Sequence, residues 1–180
     1  MEHDIASIRH AIREIPDFPK PGIVFRDITP LLADGKLFGQ TIDILAERYR
    51  GQKIDTVLGI ESRGFIIGAP LAYKLGAGFS VVRKPGKLPY DTHSASYQLE
   101  YGTDTLEIHV DGISKNARVV IADDLIATGG TAEAAVKLLR KLGAEVVGAA
   151  FVIDLPDLGG STRLAKLRIE CHTLMAFEGD

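Results

Sequence analysis

RVVIADDLIATGGTAEAAVKLL, residues 118–139, is the stretch whose reading decides the fold. Val119, Val120, Ile121 and Ala122 are apolar and mostly β-branched, which predicts a short buried strand with Asp123 and Asp124 at its carboxyl end. Thr128, Gly129, Gly130 and Thr131 then predict a tight turn, with a helix beginning near Thr131. A glycine turn ahead of a helix lets backbone N–H groups converge on an anion, and the helix dipole adds positive potential there. Thr128 and Thr131 supply hydroxyl donors at the same place, and two carboxylates one strand-end away suit the hydroxyls of a sugar. A phosphate site beside a diol site describes a phosphorylated pentose. A polar strand end beside an ordinary turn remains the plainer alternative for either half taken alone. No G-x-G-x-x-G or G-x-x-x-x-G-K-[ST] sequence competes for the reading.

Working outward, strand and helix patterns alternate. TVLGI (56–60) reads as a strand, ESRG as a turn, FIIGAPLAYKLG (65–76) as a helix despite Pro70, and FSVVR (79–83) as the next strand. KPGKLPYDTHS (84–94), broken by Pro85, Gly86 and Pro89, reads as a mobile loop. ASYQLEY (95–101) and TLEIHV (105–110) flank Gly102, Thr103 and Asp104 as a hairpin. EVVGAAFVID (145–154) is a further buried strand. Toward the N-terminus, Ile5, Ile8, Ile12 and Ile15 predict a helix ended by Pro16, and residues 37–49 a second, amphipathic one. Between them PDFPKPGIVFRDITPLL (16–32) predicts an ordered loop, since Phe18, Ile23, Val24 and Phe25 are too apolar to be left in water. The expected fold class is α/β, a mostly parallel central sheet flanked by helices, with ligands beyond the carboxyl ends of the strands.

The 180 residues suit a single domain, 1–180. A net charge of −3 argues against bulk binding to nucleic acid or an anionic membrane. One cysteine, Cys171, fits a reducing compartment. The first twenty residues carry no secretory pattern, and the longest apolar run, VVGAAFVI, is far too short to span a bilayer, so a cytoplasmic location is expected.

VVIADDLIATGGTA resembles the phosphoribosyl-pyrophosphate signature of the type I phosphoribosyltransferases. The resemblance implies that Asp123 and Asp124 hold the ribose hydroxyls, while Ala127, Thr128, Gly129, Gly130 and Thr131 hold the 5′-phosphate. GIESRGF matches the place of that family's pyrophosphate loop, which implies Ser62, Arg63 and Gly64 as ligands and gives Arg63 a catalytic part. RKPGK gathers Arg83, Lys84 and Lys87, read either as a solvated basic loop or as further pyrophosphate contacts; its place after a strand end favours the latter. Magnesium is implied as the cofactor, carried mainly by the substrate, because His3, His10, His93, His109 and His172 show no ligand spacing.

PDFPKPGIVFRDITPLL and SYQLEYG are similar to segments of the adenine phosphoribosyltransferase family. That resemblance implies a hood formed mainly by about residues 1–35, with Val24, Phe25 and Arg26 lining the adenine site. It also implies a flexible hairpin lid carrying Tyr101 and the acid/base Glu100, and a homodimer. The expected reaction is purine salvage, adenine plus 5-phospho-α-D-ribose 1-diphosphate giving AMP and diphosphate. Transfer to an oxopurine (hypoxanthine, guanine or xanthine), or a non-catalytic regulator that senses the sugar diphosphate, stand as alternatives. The last stretch, STRLAKLRIECHTLMAFEGD, gives no functional signal.

Overall fold

The structure, a computed structural model, describes residues 5–99 and 102–179. Along the chain run α1 (Ile5–His10), β1 (Arg13–Ile15), β2 (Phe25–Asp27), α2 (Thr29–Ala33), α3 (Gly35–Tyr49), β3 (Thr56–Ile60), α4 (Arg63–Leu75) and β4 (Gly78–Val82). Then follow β5 (Thr92–Leu99), β6 (Gly102–His109), β7 (Arg118–Ile126), α5 (Gly130–Lys141), β8 (Glu145–Asp154), a 3₁₀ turn at Pro156–Leu158, α6 (Gly160–Lys166) and β9 (Cys171–Ala176). The central sheet has the order β4-β3-β7-β8-β9, and every pairing in it is parallel. Two separate antiparallel ribbons, β1–β2 and β5–β6, complete the fold.

Alternation along β7 divides the core between the two faces of the sheet. Val119 and Ile121 join Leu58, Phe151 and the apolar stripe of α5 (Ala135, Leu138, Leu139) on one side. Val120 and Ala122 join Ile67 and Leu71 of α4 and Ile42 and Leu45 of α3 on the other. α3 starts where the Asp34 carboxylate accepts from the N–H groups of Lys36 and Leu37, at 2.9 and 3.0 Å. α4 stops at Gly76, whose φ of 66° terminates it in the left-handed region.

The order of strands creates the site. After β3 the chain crosses to β4 on one side, and it later returns as β7 on the other, so the sheet reverses direction of growth between β3 and β7. Such a switch point opens a crevice at the carboxyl ends. Here the crevice is deepened because β7 pairs with β3 only as far as Gly59↔Ala122. Beyond that residue it has β8 alone for a neighbour, through Ile126↔Asp154.

Four expectations need correction. The buried strand does not stop at Ala122; it carries Asp123 and Asp124 within it and ends at Ile126, because the long β8 continues to supply ladder partners. Thr92, His93 and Ser94 are not loop but the start of β5, paired with His109, Ile108 and Glu107; their polar side chains on an exposed ribbon hid the strand. The N-terminal helix ends at His10. Ile15 belongs to β1, and Phe25 to β2, within the stretch read as a loop.

Candidate active site

β7, α5 and the start of α6 build one half of the site. Gly129 adopts φ 77° just before α5. A Cβ there would lie 2.8 Å from Cα of Gly160, and one on Gly160 would lie 2.3 Å from the carbonyl oxygen of Ala127. Two glycine backbones therefore touch, and the Gly160 N–H donates to Ala127 O at 2.9 Å. A small cavity of about 120 Å³ sits over this turn, lined by Asp123, residues 125–132, Ile60 and Phe151. Its lining includes all five residues expected to hold the 5′-phosphate, and the first turn of α5 borders it, where a helix N-terminus favours an anion. Arg163 of α6 fastens the turn from behind: Nη1 donates to Thr128 O at 3.1 Å, and Nε pairs with Glu133 at 3.2 Å.

The other half lies between β3 and the loop after β4. A cavity of about 320 Å³ is lined by Glu61, Ser62, Arg63, Lys84, Lys87, Asp123 and Asp124. The two cavities share Asp123. Successive strand residues face opposite ways, so Asp124 turns to Arg63, whose Nε donates to Oδ2 at 2.5 Å, while Asp123 Oδ1 accepts from the Asp124 N–H at 2.8 Å. Burial, and then the adjacent Asp124 charge, push the Asp123 carboxyl well above its ordinary value.

Not every expected ligand lines this cavity. Gly64 is buried against β7; a Cβ there would meet Ala122 O at 2.7 Å, so its bareness serves close helix–strand packing. Arg83 points aside, its guanidinium 5.9 Å from the ring of Phe65 and 3.3 Å from Glu61. Lys84 bonds the hairpin, donating to Asp104 and, at 2.9 Å, to the Tyr97 hydroxyl. Glu100 and Tyr101 lie outside the described residues.

Glu61 was missed in the sequence. Its side chain is 9% exposed and accepts from the Lys87 ammonium, from Arg83, and from the Lys84 N–H at 2.7 Å. Burial would raise its pKa, but these donors outweigh burial and hold the carboxyl down at about 2. An acid directly before Ser-Arg-Gly, with three cations in one later loop, was the available signal. Gly159–Gly160 was likewise missed, although a second glycine pair ahead of a helix was legible in DLGGSTR.

The β1–β2 ribbon stands beside this crevice. Phe25 packs edge-to-face on Phe18, ring centroids 5.3 Å apart, and the Arg63 guanidinium lies 5.9 Å from the Phe25 ring. Arg63 thus connects β2, α4 and β7. The Arg26 side chain is buried away from the crevice, in an ion pair with Glu14 at 2.7 Å. Another cavity of about 320 Å³, between α3 and the end of α4, holds none of the motif residues, and its Lys74 and Asp43 pair with each other at 2.7 Å.

A crevice lined by three cations and three carboxylates, sharing Asp123 with the glycine turn ahead of α5, matches a class that comparison defines. The model of the phosphoribosyl transferase domain matches residues 31–170, and the chain belongs to that family. Within it the relatives are narrower still. Adenine phosphoribosyltransferases of a Bradyrhizobium species and of Methylorubrum extorquens are both 58% identical, each alignment covering 96% or more of either chain. The crystal structure of the enzyme of that name from Thermoanaerobacter pseudethanolicus superposes with a TM-score of 0.93 at 50% identity, covering 97% of this chain and 100% of that one. That from Saccharomyces cerevisiae, complexed with an imino-altritol bisphosphate and adenine, gives 0.89 at 40% identity, covering 95% and 98%. The family branch is that of the adenine phosphoribosyltransferases.

Proposed function

We propose that the chain transfers the phosphoribosyl group of 5-phospho-α-D-ribose 1-diphosphate to N9 of adenine, giving AMP and diphosphate. The observation that carries this is the sharing of Asp123 between a small cavity over the glycine turn and one where Arg63, Lys84 and Lys87 face Glu61 and Asp124, beside the aromatic edge of the hood.

In this reading the turn 127–131 grips the 5′-phosphate and Asp123 and Asp124 accept from the ribose hydroxyls. As the C1′–diphosphate bond breaks, the ring becomes oxocarbenium-like, and the two acids offer negative potential beside it. Arg63, Lys84 and Lys87, with Ser62, take up the charge of the leaving diphosphate; Lys84 exchanges its hairpin partners for this role. Gly64 and Arg83 act by packing and by holding Glu61. Magnesium supplies further neutralisation of the leaving group when bound. Among the described residues no group of three or more His, Cys, Asp or Glu side chains could hold a metal ion; the diphosphate would bring the cation with it.

Adenine rests against Phe25 beside Val24, a flat heterocycle on an aromatic face. Among the described residues β2 pairs with β1 alone, so its other edge offers backbone N–H and C=O groups near Arg26 that complement the purine's acceptor and amino donor. Glu100 manages the N9 proton, and the β5–β6 hairpin with Tyr101 closes over the site and keeps water from the activated sugar. The chain works as one domain with a hood of about the first 35 residues. It pairs as a homodimer through the apolar surface of Ile66, Tyr73 and Phe79, of which Tyr73 is 88% exposed. No described helix is long and apolar enough to cross a membrane.

Incubation with the sugar diphosphate, magnesium and each purine base in turn tests the assignment. Adenine should be converted to AMP and the oxopurines left unchanged; no AMP, or faster use of an oxopurine, would overturn it.

A further inference from the structure

The C-terminal segment, silent in the sequence, reaches the hood. Phe177 follows β9, is 5% exposed, and donates its N–H to Asp154 O at 3.0 Å, at the carboxyl end of β8. Two guanidinium groups from the N-terminal segment lie against its ring: that of Arg9 in α1 is 4.0 Å from the centroid, and that of Arg26 in β2 is 4.7 Å away. Arg9 also donates through Nη1 to Ala176 O at 2.7 Å. Glu14, paired directly opposite Arg26 across the β1–β2 ladder, supplies the carboxylate for that side chain.

The arrangement is costly for a purely structural contact. Arg26 is 8% exposed, and among the described residues its Nε has no hydrogen-bond partner; a desolvated guanidinium with an idle donor is disfavoured against an apolar residue of like size. What it secures is place. β2 contributes three residues and, among the described residues, pairs with β1; Phe25 rests on Phe18 and Ile28 enters the core just after the strand, while Arg26 is its contact with the C-terminal segment and bears on the height of its free edge above the sheet. The aromatic face of Phe177, itself tied to β8, attracts both cations and fixes that height.

We infer that Phe177 is a positioning residue for base recognition: through Arg26 and Arg9 it holds the β2 edge where it reads the purine, and so sets affinity for the base without touching it. This rests on the reading of β2 as the adenine-binding edge.

The test is steady-state kinetics of the full-length chain, with adenine and the sugar diphosphate varied separately. Phe177→Leu keeps an apolar side chain but loses the ring face, and should raise KM for adenine about 5- to 10-fold, the weight of a desolvated cation–π contact. Under the same substitution kcat and KM for the sugar diphosphate should stay within about twofold. Phe177→Tyr, which retains the ring, should restore the adenine KM. If Phe177→Leu does not fold, Arg9→Gln, on the exposed side of the ring, should raise KM for adenine about threefold on its own. An unchanged adenine KM, or equal rises for both substrates, would overturn the inference alone. A wild-type protein inert toward adenine would overturn the function and the inference with it.

Discussion

The Nε of Arg63 lies 2.5 Å from Oδ2 of Asp124, joining the first residue of α4 to the carboxyl half of β7 across the crevice between β3 and β7. The carboxylate is 5% exposed while the guanidinium is half-exposed, so the acid is fixed and the base can turn. Asp124→Asn keeps the shape and removes the charge that orients Arg63 and that, in the proposed mechanism, accepts from the ribose. It should lower kcat/KM for the sugar diphosphate about 10²-fold, as loss of one preorganised transition-state contact does. Arg63→Lys, which keeps a charge but loses the planar fork, should cost about tenfold. Initial-rate measurements decide; an Asp124→Asn enzyme of normal efficiency would separate this pair from the chemistry.

Glu61 gathers Lys87, Arg83 and the Lys84 backbone on one buried carboxylate. Glu61→Gln should release the basic loop and raise KM for the sugar diphosphate about 10-fold, leaving KM for adenine unchanged. Its pKa is depressed to about 2, so its stabilising contribution is fully present above the ordinary carboxylate range and is lost as pH falls through that range toward 2. Melting curves of wild type and Glu61→Gln should therefore converge on acidification below about pH 4.5 and stay apart above it.

Asp123 has the opposite sign. Burial and the Asp124 charge raise its folded pKa, so holding it ionised costs stability at neutral pH, a cost that vanishes once pH falls below the ordinary aspartate value. Asp123→Asn should thus melt higher than wild type at pH 7, with the gain gone near pH 3.5, and yet turn over poorly. Such a trade is expected where a site stores an unfavourable charge for function. A lower melting temperature at pH 7 would contradict this account.

Gly160 touches the phosphate turn with its bare backbone. A Cβ 2.3 Å from Ala127 O cannot be accommodated without moving that turn, so Gly160→Ala should destabilise the fold by about 1–3 kcal/mol, the usual cost of overpacking. It should also raise KM for the sugar diphosphate more than KM for adenine, which chemical denaturation and kinetics together would reveal.

Glu100→Gln should reduce kcat by about 10²-fold or more if this residue moves the N9 proton. Rates near wild type would assign the proton to another group and leave the phosphate and diphosphate contacts unaffected.

Residues 118–139 and the motif GIESRGF were legible because each concentrates its chemistry in one strand–turn–helix passage, where local spacing alone sets geometry. The ordering of β3, α4, β4, β7 and β8 followed from alternation of apolar runs. Less legible were residues whose partners are remote in sequence. Glu61 and Lys87 are 26 positions apart, and Arg163 and Thr128 are 35 apart; no periodicity links them. The sequence predicts a pyrophosphate contact for Lys84, with a solvated loop as the alternative; that its ammonium is bound to Tyr97 and Asp104 of the hairpin was not legible.

By itself the sequence determined the alternating α/β order and the two strand–turn–helix passages at 56–75 and 118–141, because backbone conformation and hydrophobic period are local properties. Only the tertiary structure decided that Asp123 and Asp124 sit inside β7, since whether a strand ends depends on how far its neighbour β8 runs. It also decided that Gly64 packs against β7, and that Phe177 meets Arg26, because the burial of a side chain is settled by what distant segments leave open beside it.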